Sequence, residues 1–142
     1  MVALQDTHRS VYLPLVQNNP TEALVLFDGA DANAVVAERP STTAPAQGLF
    51  LLNNPKVVRA ADAAAEQLLQ VTTSDSELVR QAYVRFYARP PREKELAAAE
   101  QFLVSYKQQV ATDQVPSSRH NQEAWAAFCQ ALFASAEFLY RN

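Results

Sequence analysis

The chain has 142 residues, with 12 Lys and Arg against 15 Asp and Glu, a net charge of −3 and one cysteine. A single cysteine excludes an internal disulfide and a thiolate-rich metal site, and scattered bases supply no basic patch for nucleic acid. At this length one domain, residues 1–142, is expected, burying roughly 70% of the surface its unfolded chain exposes; no apolar run approaches the roughly 20 residues of a membrane span.

The N-terminus, "MVALQDTHRS", lacks the charged start and apolar core of a signal peptide. Residues 10–16, "SVYLPLV", alternate and are rich enough in β-branched side chains to be extended, but Pro14 argues against a central strand. "PTEALVLFD", residues 20–28, reads as a short helix capped by Asn19, and Asp28 to Arg39 as irregular chain. Two glycines against eight prolines leave Asp28-Gly29 as the one pair suited to a tight hairpin. Residues 1–45 are thus expected to form an irregular, partly extended N-terminal arm with a short helix, and residues 46–142 a helical core.

The stretch "STTAPAQGLFLLNNP", residues 41–55, joins the two. Thr42 or Thr43 is placed to cap a short helix with Pro45 in its first turn, and Leu49, Phe50 and Leu52 pack inward. Asn53 is expected in the left-handed turn that ends this helix. Asn54 then caps the next helix, with Pro55 at its first position, where a missing N–H costs nothing.

Four helices follow. Val57, Val58, Ala61, Ala65, Leu68 and Leu69 form the stripe of a helix over 55–70. Ser74 with Glu77 reads as a capping box that opens a helix over 75–88, whose inner face is Leu78, Val79, Ala82, Tyr83 and Phe86. Pro90-Pro91 stops it and starts a helix over 92–111, with Leu96, Ala99, Leu103, Tyr106 and Val110 at spacings of 3, 4, 3 and 4. The last helix, 120–139, carries Trp125, Phe128, Cys129, Leu132, Phe133, Ala136, Phe138 and Leu139. Apolar on nearly all sides, it needs burial or a partner, and Phe133 is expected in a core or interface. The fold class is mainly α: an orthogonal bundle of four to six helices behind the arm.

The chemistry-bearing residues are sparse. His8 and His120 are far apart, and neither Asp6 nor Glu123 gives them zinc-ligand spacing. Cys129 lies between Phe128 and Leu132 on an apolar face and reads as a buried structural thiol. No nucleophile elbow, phosphate loop or dinucleotide fingerprint is present, and two glycines do not build one. No metal ligand, catalytic residue or cofactor is assigned. Asp28, Asp31 and Glu38 are acids in the irregular stretch, without the spacing of a glycosidase pair. Thr42, Thr43, Gln47, Asn53 and Asn54 form either a polar cluster for a sugar or peptide, or a structural joint that leaves only Gln47 without a duty.

The blocks "RSVYLPLVQNN", "LFD", "TTAPAQGLFLLNNP", "AYVRFYARPP" and "AWAAFCQALFASAEFLYRN" resemble, in order, those of the planctomycete-type domain of unknown function. That domain lies at the C-terminal end of long bacterial proteins that often carry a cytochrome-c-like module and a second domain of unknown function. Gln17 stands where that family usually has a basic residue, and Arg92 where a capping threonine is common. The resemblance implies an exported or cell-envelope parent and an origin as the tail of a longer chain; no "CxxCH" occurs here for covalent haem. Two function classes remain. One is a non-enzymatic interaction domain docking on other domains of its parent or on itself as a homodimer, with no nucleic-acid or membrane partner. The other is a carbohydrate-related accessory or hydrolytic domain, with Arg9, Asp28, Thr43 and Gln47 as its binding residues.

Overall fold

Proline at the first position of a helix gives up an N–H that has no intrahelical acceptor there, and Asn54-Pro55 uses this preference. In this computed structural model, which describes residues 26–27, 44–71, 74–113 and 115–140, Asn54 is extended and its side chain accepts from the Lys56 N–H at 2.9 Å. The helices on either side of it are α1 (Ala44–Asn53) and α2 (Pro55–Leu69). Asn53 is not the left-handed turn expected of it. It is the last helical residue of α1, and the chain bends instead through the extended backbone of Asn54. Residues 10–16, Asn19, Thr42 and Thr43 lie outside the described residues, as does the 20–28 segment apart from Leu26 and Phe27.

Next come α3 (Asp75–Tyr87), α4 (Glu93–Thr112), α5 (Ser117–Phe133) and α6 (Ala136–Leu139). The protein is mainly α, with six helices and no strand among the described residues. Ser74 occupies the N-cap position of α3, but its side chain makes no capping bond, so the expected box with Glu77 is not formed. Arg92, which has no acceptor to offer, is the N-cap of α4. There the reciprocal half of a box stands in, with Glu95 accepting from the Arg92 N–H at 2.6 Å.

The expected helix over 120–139 is two helices. It starts at Ser117 and breaks at Ala134-Ser135, where Ser135 turns extended (ψ 151°) and its hydroxyl caps α6 by accepting from the Phe138 N–H at 3.2 Å. α3 ends on Ala88, which takes up left-handed backbone (φ 57°, ψ 28°) ahead of Arg89 and the double proline. The residue before a proline avoids helical backbone, so the turn is forced onto the preceding residues.

The chain divides into two units, Met1–Phe50 and Leu51–Asn142, the boundary falling inside α1. In the first, Gln47 is buried and its Nε2 donates to the Leu26 carbonyl at 3.1 Å, while the Phe27 and Phe50 rings meet edge to face at 5.7 Å. In the second, α5 is the central element, packed most extensively on α2 and then on α4. The α2 face is Ala61, Ala65 and Leu68, and small side chains there let the helices approach closely. Against it α5 buries Ala124, Trp125, Phe128, Cys129 and Leu132, and α3 and α4 add Leu78, Val79, Ala82, Ala99 and Leu103. Trp125 is 0% exposed and stacks edge to face on Phe128 at 5.5 Å, and its Nε1–H has no acceptor among the described residues. Phe133 packs on this core but is only partly buried, because α5 is about to end and the ring lies at the surface between helices. Asp75–Lys107 at 2.9 Å and Ser76–Glu100 tie α3 to α4. Gln130 Nε2 donates to the Leu52 carbonyl at 2.7 Å and so holds the last turn of α1.

Candidate functional site

The residues that gather at the surface of the second unit are aromatic. A groove of about 180 Å³ is lined by Ala64, Gln67 and Leu68 of α2, Arg85 and Phe86 of α3, Phe133 of α5 and Phe138 of α6. Phe86 and Phe133 meet at 4.7 Å between ring centroids, Phe133 and Phe138 at 5.0 Å, and Phe86 and Phe138 at 6.1 Å. The ring angles of 68° and 90° in the first two pairs bring ring edges towards ring faces, the favoured electrostatic geometry. Phe138 nevertheless remains 41% exposed. Periodicity puts Phe86 on the inner face of the helix over 75–88 and Phe133 and Phe138 on one helix over 120–139, but the break at Ser135 is what folds Phe138 back onto the other two.

Beside the groove, Arg89 joins three elements. Its guanidinium is bonded twice to Glu95 of α4 (2.8 and 2.8 Å) and twice to Glu137 of α6 (2.6 and 2.7 Å). It also lies over the rings of Tyr83 (5.5 Å) and Tyr87 (5.8 Å). Planar forks pair bidentately with carboxylates, a geometry that lysine does not offer. The Glu95 carboxyl is held down to about 2, first by the hydrogen bonds from Arg89 and next by the Arg92 N–H. Glu137 is lowered chiefly by Arg89, and Arg89 is itself held even more firmly charged by both acids. Burial raises both tyrosines. The Tyr87 hydroxyl donates to Ser135 Oγ at 2.8 Å, and Ser135 in turn donates to the Leu132 carbonyl at 2.8 Å.

Arg9, Asp28 and Thr43 lie outside the described residues, as do Asp6, His8, Asp31 and Glu38. Gln47 is 5% exposed, with its amide on the Leu26 carbonyl. His120 donates from Nε2 to the Val115 carbonyl at 2.6 Å and so closes the loop before α5, and Glu123 pairs with Arg119 at 2.6 Å. Among the described residues, no group of three or more His, Cys, Asp or Glu is placed to hold a metal ion, and no helix is long and apolar enough to cross a membrane. Cys129 is fully buried, and burial pushes its thiol up to about 12, so it is not a nucleophile at neutral pH.

Arg89 and Ser135 carry the arrangement, and sequence reasoning gave neither a role. Both lie in the quoted blocks "ARPP" and "FASAEF", but their partners are distant in sequence: Glu137 is 48 residues from Arg89, and Tyr87 is 48 residues from Ser135. A family model described as PSD1, a protein of unknown function (DUF1553), matches residues 2–103. No curated protein and no solved structure matches the chain.

Proposed function

Because the chain belongs to the PSD1 (DUF1553) family of proteins of unknown function, we propose that it is a non-enzymatic interaction domain. It docks on another domain of the longer polypeptide that carries it, and a second copy is the competing occupant. That polypeptide is taken to be exported or in the cell envelope, with a cytochrome-c-like module as the first neighbour to try. The reading rests on one observation: Phe86, Phe133 and Phe138 stand together at the surface around an open groove, with Arg85 on its rim. Phenylalanine and arginine are both enriched at protein interfaces relative to the rest of the surface. No observation favours the carbohydrate-related reading around Asp28 and Gln47, and the Nε2 of Gln47 already donates to Leu26.

The test is capture of the separately expressed neighbouring domains by the tagged chain, alongside its mass in solution by light scattering. Arg85→Glu changes an exposed rim position, and Phe133→Ala removes one wall while the single tryptophan, Trp125, reports whether the core is intact. The native chain is expected to capture a neighbour or to run as a dimer, and both variants to weaken that association. A native chain that is monomeric and captures none of them, or variants that associate as well as it does, would overturn the reading.

A further inference from the structure

α6 continues from α5 through Ser135, whose N–H donates to the Leu132 carbonyl at 3.2 Å, and it meets α3 and the end of α5 through side chains. None of its residues is buried, and it is four residues long. Glu137 is on Arg89, Phe138 is on Phe86 and Phe133, and the Ser135 hydroxyl is on Tyr87. Elements with so little buried surface open at a small fraction of the cost of opening a core. The break that bends α6 back is a single residue. Ala134 already has helical backbone (φ −81°, ψ −2°), and Ser135 departs through ψ alone (φ −74°, ψ 151°). The surrounding sequence, "ALFASAEFL", contains no glycine, proline or β-branched residue and reads as a continuous helix. Returning Ser135 to a ψ of about −42° would straighten α5 into α6 and carry Phe138, one wall of the groove, away from Phe86 and Phe133.

We propose that α6 is a displaceable strap, which supplies one wall of this groove by laying Phe138 on Phe86 and Phe133 and Glu137 on Arg89, and that the docking partner presents the same chemistry in its place. That chemistry is a helical turn with an aromatic side chain preceded by a carboxylate. The aromatic takes the position of Phe138 between Phe86 and Phe133, and the carboxylate takes that of Glu137 on the Arg89 fork. Arg89 is matched to this role, since its pairing with Glu95 holds the guanidinium in place on α4 whether or not Glu137 is bound. The strap is not a separate site. It rests on the interaction-domain reading and adds how access to the groove is controlled and what the partner offers.

The test uses the whole chain and a fluorescent peptide with the sequence of residues 134–142, "ASAEFLYRN". Glu137→Gln with Phe138→Ala weakens the strap at two exposed positions. Glu137→Gln alone is the second variant, in case the pair disturbs folding. Either variant is expected to bind the peptide several-fold more tightly than the native chain, in which the strap competes. A peptide lacking the phenylalanine and the glutamate is expected not to bind. In hydrogen exchange, the amides of Phe138, Leu139 and Tyr140 are expected to exchange faster in the variants while those of α3 and α4 do not change. Equal peptide binding by native and variant chains, or none by either while the α6 amides are freed, would overturn the strap. Those outcomes would leave the interaction-domain reading standing, since capture of a neighbouring domain is measured separately.

Discussion

Replacing Asn54 by alanine removes the acceptor that α2 relies on for its first turn. Of the donors in that turn without a carbonyl four residues back, Pro55 has none to give, and the Lys56 N–H is met by Asn54 Oδ1 at 2.9 Å. From Val58 onward the helix supplies its own partners, beginning with the Asn54 carbonyl at 3.1 Å. The substitution therefore costs one capping bond, about 1 kcal/mol and within the usual range of about 0.5–2. α2 packs more extensively on α5 than on any other helix, so the loss is felt by the core around Trp125. Urea unfolding followed by the single tryptophan is the assay. At a slope of about 1–3 kcal/mol per molar urea, the midpoint falls by roughly 0.3–1 M. Asn54→Gly is expected to cost only a few tenths of a kcal/mol, and Asn54→Asp to retain the acceptor. If alanine cost no more than glycine, or the midpoint did not move, the cap would contribute nothing and the joint would have to be held by something else.

Ala88→Gly relieves a left-handed backbone that costs a non-glycine residue about 1–2 kcal/mol; after the entropy of glycine is set against it, a gain of up to about 1 kcal/mol in thermal or urea stability is expected. Gln47→Ala leaves the part-buried Leu26 carbonyl without its donor and should lose about 1–3 kcal/mol in a urea titration, whereas a neutral result would mean that this bond contributes nothing to folding. Cys129 is expected to resist a thiol reagent at pH 8 in the native chain and to react at the rate of a model thiol in denaturant. For acid, the folded Glu95 value of about 2 lies below the unfolded value of about 4.3, so its contribution is fully present above the latter and is lost as pH falls through the former. Glu137 moves in the same direction. Stability should therefore fall between about pH 4.5 and pH 2, and Glu95→Gln should flatten that slope in pH-dependent urea midpoints.

Local rules of helix formation made three of the helices legible within one or two residues. The alanine-rich stripe of α2 behind Asn54-Pro55, the face of α3 from Leu78 to Tyr83, and the spacing from Ala99 to Val110 in α4 each satisfy the 3.6-residue period on their own. Cap details were less secure, because a serine placed to cap, as at Ser74, gains nothing if its hydroxyl bonds elsewhere or turns away. The end of α1 went the same way: an asparagine suits left-handed backbone, but Asn53 stays helical and the neighbouring Asn54 makes the bend in extended backbone.

What the amino-acid sequence determined by itself is the helical class, the position of Asn54 as a cap and the buried character of Cys129, all of which follow from neighbours within a turn or two. The tertiary structure alone decided the bend at Ser135 and the groove it shapes. Locally, "ALFASAEFL" satisfies a straight helix, and a single ψ angle separates the two conformations. The bend is selected by the Tyr87 hydroxyl, the Arg89 guanidinium and the Phe86 ring, which are 48 to 52 residues away in the chain and reach Ser135, Glu137 and Phe138 only after α3 has packed against the end of α5. Periodicity is blind to partners at that separation, because it records which face of a helix is apolar and not what that face will meet.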